Sequence, residues 1–207
     1  GHRIVTTVLG ALAKAAPDRV PAAYYGVSYV MTLQAPDPLV AGETRVYFAV
    51  EVGGWGGHPE QDGADGFSCG FHNLANSPIE MCEVLFPITF TEYGLIPDSG
   101  GDGLHRGGLG LAREWRLDAA WGVVSGSFER FRHGPYGLAG GGDGRPGRFS
   151  HMTPAGRQEL PSKVSGVRLA AGDRIRLETS GGGGWGEPAQ RAATARQRDR
   201  DGGYVTG

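Results

Sequence analysis

Lysine is nearly missing from this sequence of 207 residues: Lys14 and Lys163 are the only two, and every other member of its 20 cations is arginine. A nucleotide-binding P-loop needs a lysine directly after its last glycine to neutralise the β- and γ-phosphates. Neither lysine follows a glycine, so that motif is excluded. Cysteine is equally scarce; Cys69 and Cys82 are too few for a disulfide framework, and no Asn-x-Ser/Thr sequon occurs. No apolar run approaches the ~18 residues a spanning helix requires, and no signal-peptide pattern opens the sequence. The net charge is −2, and the one dense basic stretch, "RAATARQRDRD", carries aspartates as well. A basic stripe interleaved with aromatics, the footprint of nucleic-acid binding, is absent. Neither nucleic acid nor a membrane is expected as a partner, and a cytoplasmic location is expected.

Glycine, by contrast, is abundant: 38 residues, where a typical chain of this size would hold ~7%. The glycines cluster at 53–57, 100–110, 140–147 and 181–186, without a collagen period and separated by apolar, β-branched runs. Many turns between short strands is the natural reading. "RVYFAVEVGG", "FPITFTEYGLIP", "GLGLAREWRL", "WGVVSGSFERF" and "VRLAAGDRIRLETS" each read as a strand, and period two begins at "YYGVSYVMTLQ". In "RIVTTVLGALAKAAPDRVP", Val5, Val8, Leu9 and Leu12 recur at helical spacing until Pro17. In "NSPIEMCEVLFP", Ser77 suits an N-cap, Pro78 the first helical position and Glu80 a capping box. A last helix is predicted over "AQRAATARQRD". The expected class is α+β: a β-rich single domain over 1–207 with a helix near each end and one short central helix.

Three stretches invite a chemical reading. "DSGGDGLHRGGLG" (98–110) matches no phosphate motif and lies where a long connection between two strands belongs; within it, Arg106 is suited to an anion or a buried carboxylate. The dinucleotide pattern GxGxxG occurs at 142–147, which no helix follows, and at 181–186, after which too few residues remain for a βαβ unit. "GFSCG" (66–70) fits a nucleophile elbow at Ser68, but no strand leads into it. The segment 53–78 gathers His58, Asp62, Asp65, His72, Asn73 and Asn76. Such a set suits metal ligation, the lining of a functional cavity, or plain turn chemistry.

The order of motifs is more specific than any one of them. "GGWGGHPEQDGADG", "NLANSPIEMCEVLFPI", "DSGGDGLHRGGLGLAREW", "SKVSGVRLAAGDRIRLETSGGGGWGEP" and "DGGYVTG" follow one another as in the C-terminal part of the hydantoinase B family, which this chain resembles throughout. That family includes the B-type component of N-methylhydantoinase, the matching half of 5-oxoprolinase, and related subunits of acetone and acetophenone carboxylases. The resemblance implies ATP-dependent hydrolysis of a cyclic amide (hydantoin, 5-oxoproline or a similar lactam), with acetone-type carboxylation or a purely structural role in such a complex as alternatives. It also implies a hydantoinase A-type partner carrying ATP and Mg, whose phosphorylation of the substrate oxygen activates an otherwise unreactive group. The family's divalent metal is held by the N-terminal part of the subunit, around an Asn-Asp-Pro-Tyr segment that nothing here matches. That part is therefore a second expected partner; no metal ligand is assigned to this chain, and by itself it is expected to bind no cofactor and to be inactive. Asp62, Asp65 and His72 are the candidate catalytic residues; His58, Asn76 and Arg106 are candidates for lining a substrate cavity or binding an anion.

Overall fold

A computed structural model describes residues 1–69 and 74–207. The β-rich α+β class holds, with a helix near each end and a short one between. Two sheets, antiparallel throughout, form the body. The first has the order β2-β1-β5-β8, from β1 (Tyr29–Pro36), β2 (Thr44–Glu51), β5 (Trp121–Ser127) and β8 (Lys163–Ala170). The second has the order β3-β4-β9-β6-β7, from β3 (Ile88–Leu95), β4 (Leu111–Leu117), β6 (Arg148–Thr153), β7 (Gly156–Leu160) and β9 (Arg174–Glu178).

Alternation decides what each strand contributes. In β1, Tyr29, Met31, Leu33 and Ala35 are buried while the residues between them face outward. They share one core with Trp115, Leu117, Phe149, Ile175 and Leu177 of the second sheet. Aromatic contacts join the layers: Tyr47 of β2 meets Trp115 of β4 edge-on with ring centroids 6.3 Å apart.

The elements differ from the sequence expectation in four places. "VRLAAGDRIRLETS" is two strands, β8 and β9, in different sheets; Gly172, at φ 84°, makes the turn that separates them. β7 went unpredicted because its five residues, Gly-Arg-Gln-Glu-Leu, pair at an edge and bury no apolar face. The central helix α2 spans Ile79–Leu85 with Pro78, not Ser77, at the N-cap and no side-chain cap. The C-terminal helix α3 runs Ala193–Asp201, beginning later than its apolar residues suggested. The first helix, α1 (His2–Leu12), forms as predicted, but Val8 and Leu12 face outward.

The glycine clusters meet one another beneath the sheets, backbone against backbone. Gly182 N–H donates to Gly108 O (2.9 Å), Gly101 N–H to Gly182 O (2.8 Å), Gly108 N–H to Trp55 O (2.7 Å) and Gly57 N–H to Gly183 O (2.8 Å). These segments lie outside the sheets, and each is bonded to several others. What requires glycine at most of these positions is closeness. A Cβ built on Gly103 would stand 2.7 Å from the carbonyl oxygens of both His105 and Trp185.

Candidate functional site

The connection between β3 and β4 carries the residues with the densest polar environment. Ser99, fully buried, pinches the loop: its hydroxyl donates to Ile96 O (2.6 Å) and accepts from Gly110 N–H (2.9 Å). Arg106, 9% exposed, then turns into a nest of carboxylates. Its Nη1 and Nη2 donate to the two Asp65 oxygens (2.7 and 3.0 Å), and its Nε donates to Asp199 of α3 (3.3 Å). The Tyr204 ring lies 4.6 Å from its guanidinium carbon. Asp199 also accepts from Arg191 Nε (2.8 Å), and the Arg191 fork grips Asp62 (2.7 and 2.8 Å). Acids and guanidiniums thus alternate along one ladder, Asp65–Arg106–Asp199–Arg191–Asp62.

Main-chain donors complete the ladder. Asp62 accepts the Arg106 N–H (2.9 Å) and Asp65 the Leu109 N–H (2.8 Å). Burial works against ionisation of Asp62, but the Arg191 fork and the Arg106 amide overcome it and hold the carboxyl below its usual range. Burial likewise opposes the charge on Arg106, and the bonds to Asp65 outweigh it, raising the guanidinium further. A carboxylate so stabilised is a weak base at neutral pH. Through Asp199 the ladder ties α3 to the glycine loop, and residues 202–207 continue beyond α3 as a C-terminal strap. Asp98, itself at φ 58°, adds the last tie by accepting from Thr206 N–H (2.9 Å) and Thr206 Oγ1 (2.6 Å). Between loop and strap lies a cavity of about 510 Å³, lined by Arg106, Asp102, Asp143, Arg196, Arg200 and Tyr204 among others.

A second polar centre joins the two sheets. Glu51 of β2, 2% exposed, accepts from Arg113 Nη1 of β4 (2.7 Å). Arg113 Nη2 donates to Asn76 Oδ1 (2.8 Å) and to the Tyr93 hydroxyl, and its guanidinium stacks on the Tyr93 ring. Arg113 Nε is buried without an acceptor among the described residues. Burial pushes the Glu51 carboxyl up to about 7 despite the opposing pull of Arg113.

The candidates named from sequence are therefore divided. Asp62, Asp65 and Arg106 come together in the ladder, and Arg106 also lines the cavity. Asn76 belongs to the Arg113 centre, and His58 stacks on Trp55 with centroids 6.4 Å apart, its imidazole lowered by burial. His72 and Asn73 lie outside the described residues. Ser68 is preceded by a turn and one isolated bridge at Phe67, not by a strand. At 181–186 the GxGxxG match is packed with main chain: a Cβ on Gly182 would overlap the Trp55 carbonyl and stand 2.7 Å from Gly56 N. Arg191, Asp199, Glu51 and Arg113 were missed. Arg191 and Asp199 both lie in the dense "RAATARQRDRD" stretch, where nothing set them apart from the neighbouring arginines and aspartate, and the second pair carried no sign at all.

Among the described residues, no three His, Cys, Asp or Glu side chains gather as metal ligands would, and no helix is long and apolar enough to cross a membrane. The family model described as hydantoinase B/oxoprolinase matches residues 1–188. The beta chain of the caprolactamase of Pseudomonas jessenii is 31% identical over 95% of this chain and 35% of its own length. The crystal structure of the ATP-dependent caprolactamase from Pseudomonas jessenii superposes on 94% of this chain, and 35% of that one, with a TM-score of 0.83 and 26% identity. A nucleotide-free acetone carboxylase shares the fold at 19% identity, with a TM-score of 0.69 over 90% of this chain and 29% of its own. The chain spans between 11% and 35% of the length of such curated relatives. It belongs to the hydantoinase B/oxoprolinase family.

Proposed function

We propose that this chain is the scaffold portion of a hydantoinase B-type subunit in a cytoplasmic, ATP-dependent enzyme that opens cyclic amides such as hydantoins, 5-oxoproline or a related lactam. The observation that carries the reading is the likeness, over nearly the whole chain, to a structure described as an ATP-dependent caprolactamase. Its partners in this reading are an ATP-binding hydantoinase A-type subunit and the portion of the B-type subunit to which nothing here corresponds.

In this reading metal and nucleotide are assigned to the partners, because the two places in this chain that invite them are already occupied. Each carboxylate of the ladder is already bonded to a guanidinium, and the glycine segment at 181–186 is filled by main chain. Those groups belong to the partners, and this chain supplies walls. Asp62 and Asp65 act as positioning residues that hold Arg106 at the cavity and the strap over it. Acetone-type carboxylation is the second reading, favoured by the fold shared with acetone carboxylase.

Turnover by the assembled complex decides between them. Lactams, 5-oxoproline and hydantoins should be consumed with ATP; activity confined to acetone with bicarbonate would overturn the hydrolase. In the same complex Asp62→Asn and Asp65→Asn should lower thermal stability while leaving kcat within about threefold where the protein stays folded. A hundredfold fall in kcat with unchanged melting would place the two carboxylates in the chemistry.

A further inference from the structure

Among the described residues, three arginines are buried. Arg106 is matched by Asp65 and Asp199, and Arg113 by Glu51. Arg130, 9% exposed, meets no carboxylate among the described residues. Its Nη1 donates to Gly134 O (3.2 Å), while Nε is buried without an acceptor and Nη2 has none among the described residues. The phenols of Tyr29 and Tyr136 lie within reach of its charge, and burial keeps both neutral at pH 7. Burial and then the charge of Arg3 press the guanidinium below its usual range, and Glu129, next to it in the chain, offsets little of this. The backbone is unfavourable too: Arg130 stands at φ 63°, a left-handed conformation that residues with a Cβ avoid. The fold therefore holds a buried cation in place against both desolvation and backbone strain.

A cleft of about 360 Å³ adjoins Arg130 and is lined also by Arg3, Glu129, Arg132, His133 and Lys163. Arg3 comes from α1, residues 129–133 from the connection that follows β5, and Lys163 from the start of β8. Four arginine and lysine side chains therefore face one acid. That acid is already engaged, for Glu129 pairs with Arg3 and stands 3.8 Å from Lys163. We propose that this cleft binds a small phosphate-type oxyanion, with Arg130 as its buried member and Arg3, Arg132 and Lys163 as its exposed ones. Such an anion supplies the counter-charge that Arg130 lacks. Phosphate suits the cleft better than a carboxylate does. It brings up to about two negative charges and three acceptor oxygens, and guanidinium forks grip it in pairs of bonds. The site lies apart from the Asp65–Arg106–Asp199 ladder, and the inference holds whichever reaction the assembled complex performs.

The test is calorimetry of this chain with inorganic phosphate at fixed ionic strength, beside succinate as the carboxylate arm. Phosphate should saturate one site and raise the melting temperature, and succinate should bind more weakly. Arg130→Met keeps an unbranched side chain without the charge. It should lower phosphate affinity about tenfold or more, with a melting temperature in the absence of phosphate at or above that of wild type. Glu129→Gln removes the competing acid and should tighten binding about threefold. Arg198→Ser, at an exposed arginine of α3 outside the cleft, should change nothing. Equal phosphate binding by Arg130→Met and wild type would overturn the proposal. So would a response that never saturates, the mark of diffuse attraction to a basic surface, and so would succinate binding more tightly than phosphate. If Arg130→Met does not fold, Glu129→Gln and Arg132→Ser decide. The first should tighten binding and the second weaken it, and unchanged affinity in either would overturn the site.

Discussion

Gly182→Ala should come close to unfolding the protein. The new Cβ would overlap the Trp55 carbonyl and crowd Gly56 N at 2.7 Å. Both neighbours are backbone, so no rotamer change relieves the clash. The segments would have to part by about 1.5 Å to restore van der Waals spacing. Doing so stretches the bonds from Gly182 N–H to Gly108 O and from Gly108 N–H to Trp55 O, which are 2.9 and 2.7 Å long and closed to water. Overpacking costs about 1–3 kcal/mol, and each buried polar group left without a partner costs about 1–3 kcal/mol more. The total, roughly 3–9 kcal/mol, is comparable with the 5–15 kcal/mol stability of a typical domain. Gly94→Ala is the control: it lies in β3 with nothing within 4 Å of its would-be Cβ and should be neutral or slightly stabilising. Urea denaturation followed by circular dichroism gives both values. A Gly182→Ala midpoint within error of Gly94→Ala would mean that the glycine segments are not rigidly packed, and the account of the scaffold would fail.

Two further outcomes follow from the charged centres. Glu51 is held in the folded chain at about 7, above its ordinary 4.5, so its contribution to stability is fully present below pH 4.5 and is lost as pH rises through 7. Stability should decline across that window by up to about 3 kcal/mol, and Glu51→Gln should flatten the decline; an unchanged pH profile in that variant would remove Glu51 as its source. Arg191→Met unties Asp62 and Asp199 together. Because Asp62 is 35% exposed in its side chain, the cost should be only about 1–2 kcal/mol, but trypsin should cut α3 at Arg196 to Arg200 much faster. Equal cleavage of wild type and variant would show that the ladder does not hold it.

Local pattern was enough to read much of the architecture. Alternation in "RVYFAVEV" gave β2, where Tyr47, Ala49 and Glu51 are buried, whereas "LAREWRL" was legible as a strand although β4 buries five residues in succession. Gly, Pro or Asp closed the strands read from sequence, but the Gly172-Asp173 step, which turns the chain between β8 and β9, was read through as part of one strand. The placement of "DSGGDGLHRGGLG" between two strands and the suitability of Arg106 for a buried carboxylate were legible too. Which carboxylates it would meet was not, since Asp65 and Asp199 reach it from 41 and 93 residues away.

By itself, then, the sequence determined the β-rich α+β class, the three helices and the density of turns, because propensity and periodicity are properties of neighbouring residues. The tertiary structure decided what those elements enclose. Glycine carries no side chain to signal a partner, so the meeting of four distant clusters is written only in the closure of the chain. The Glu51–Arg113 bond across two sheets and the outward turn of α1 depend in the same way on which surfaces end up opposed, a matter of long-range geometry that no local pattern encodes.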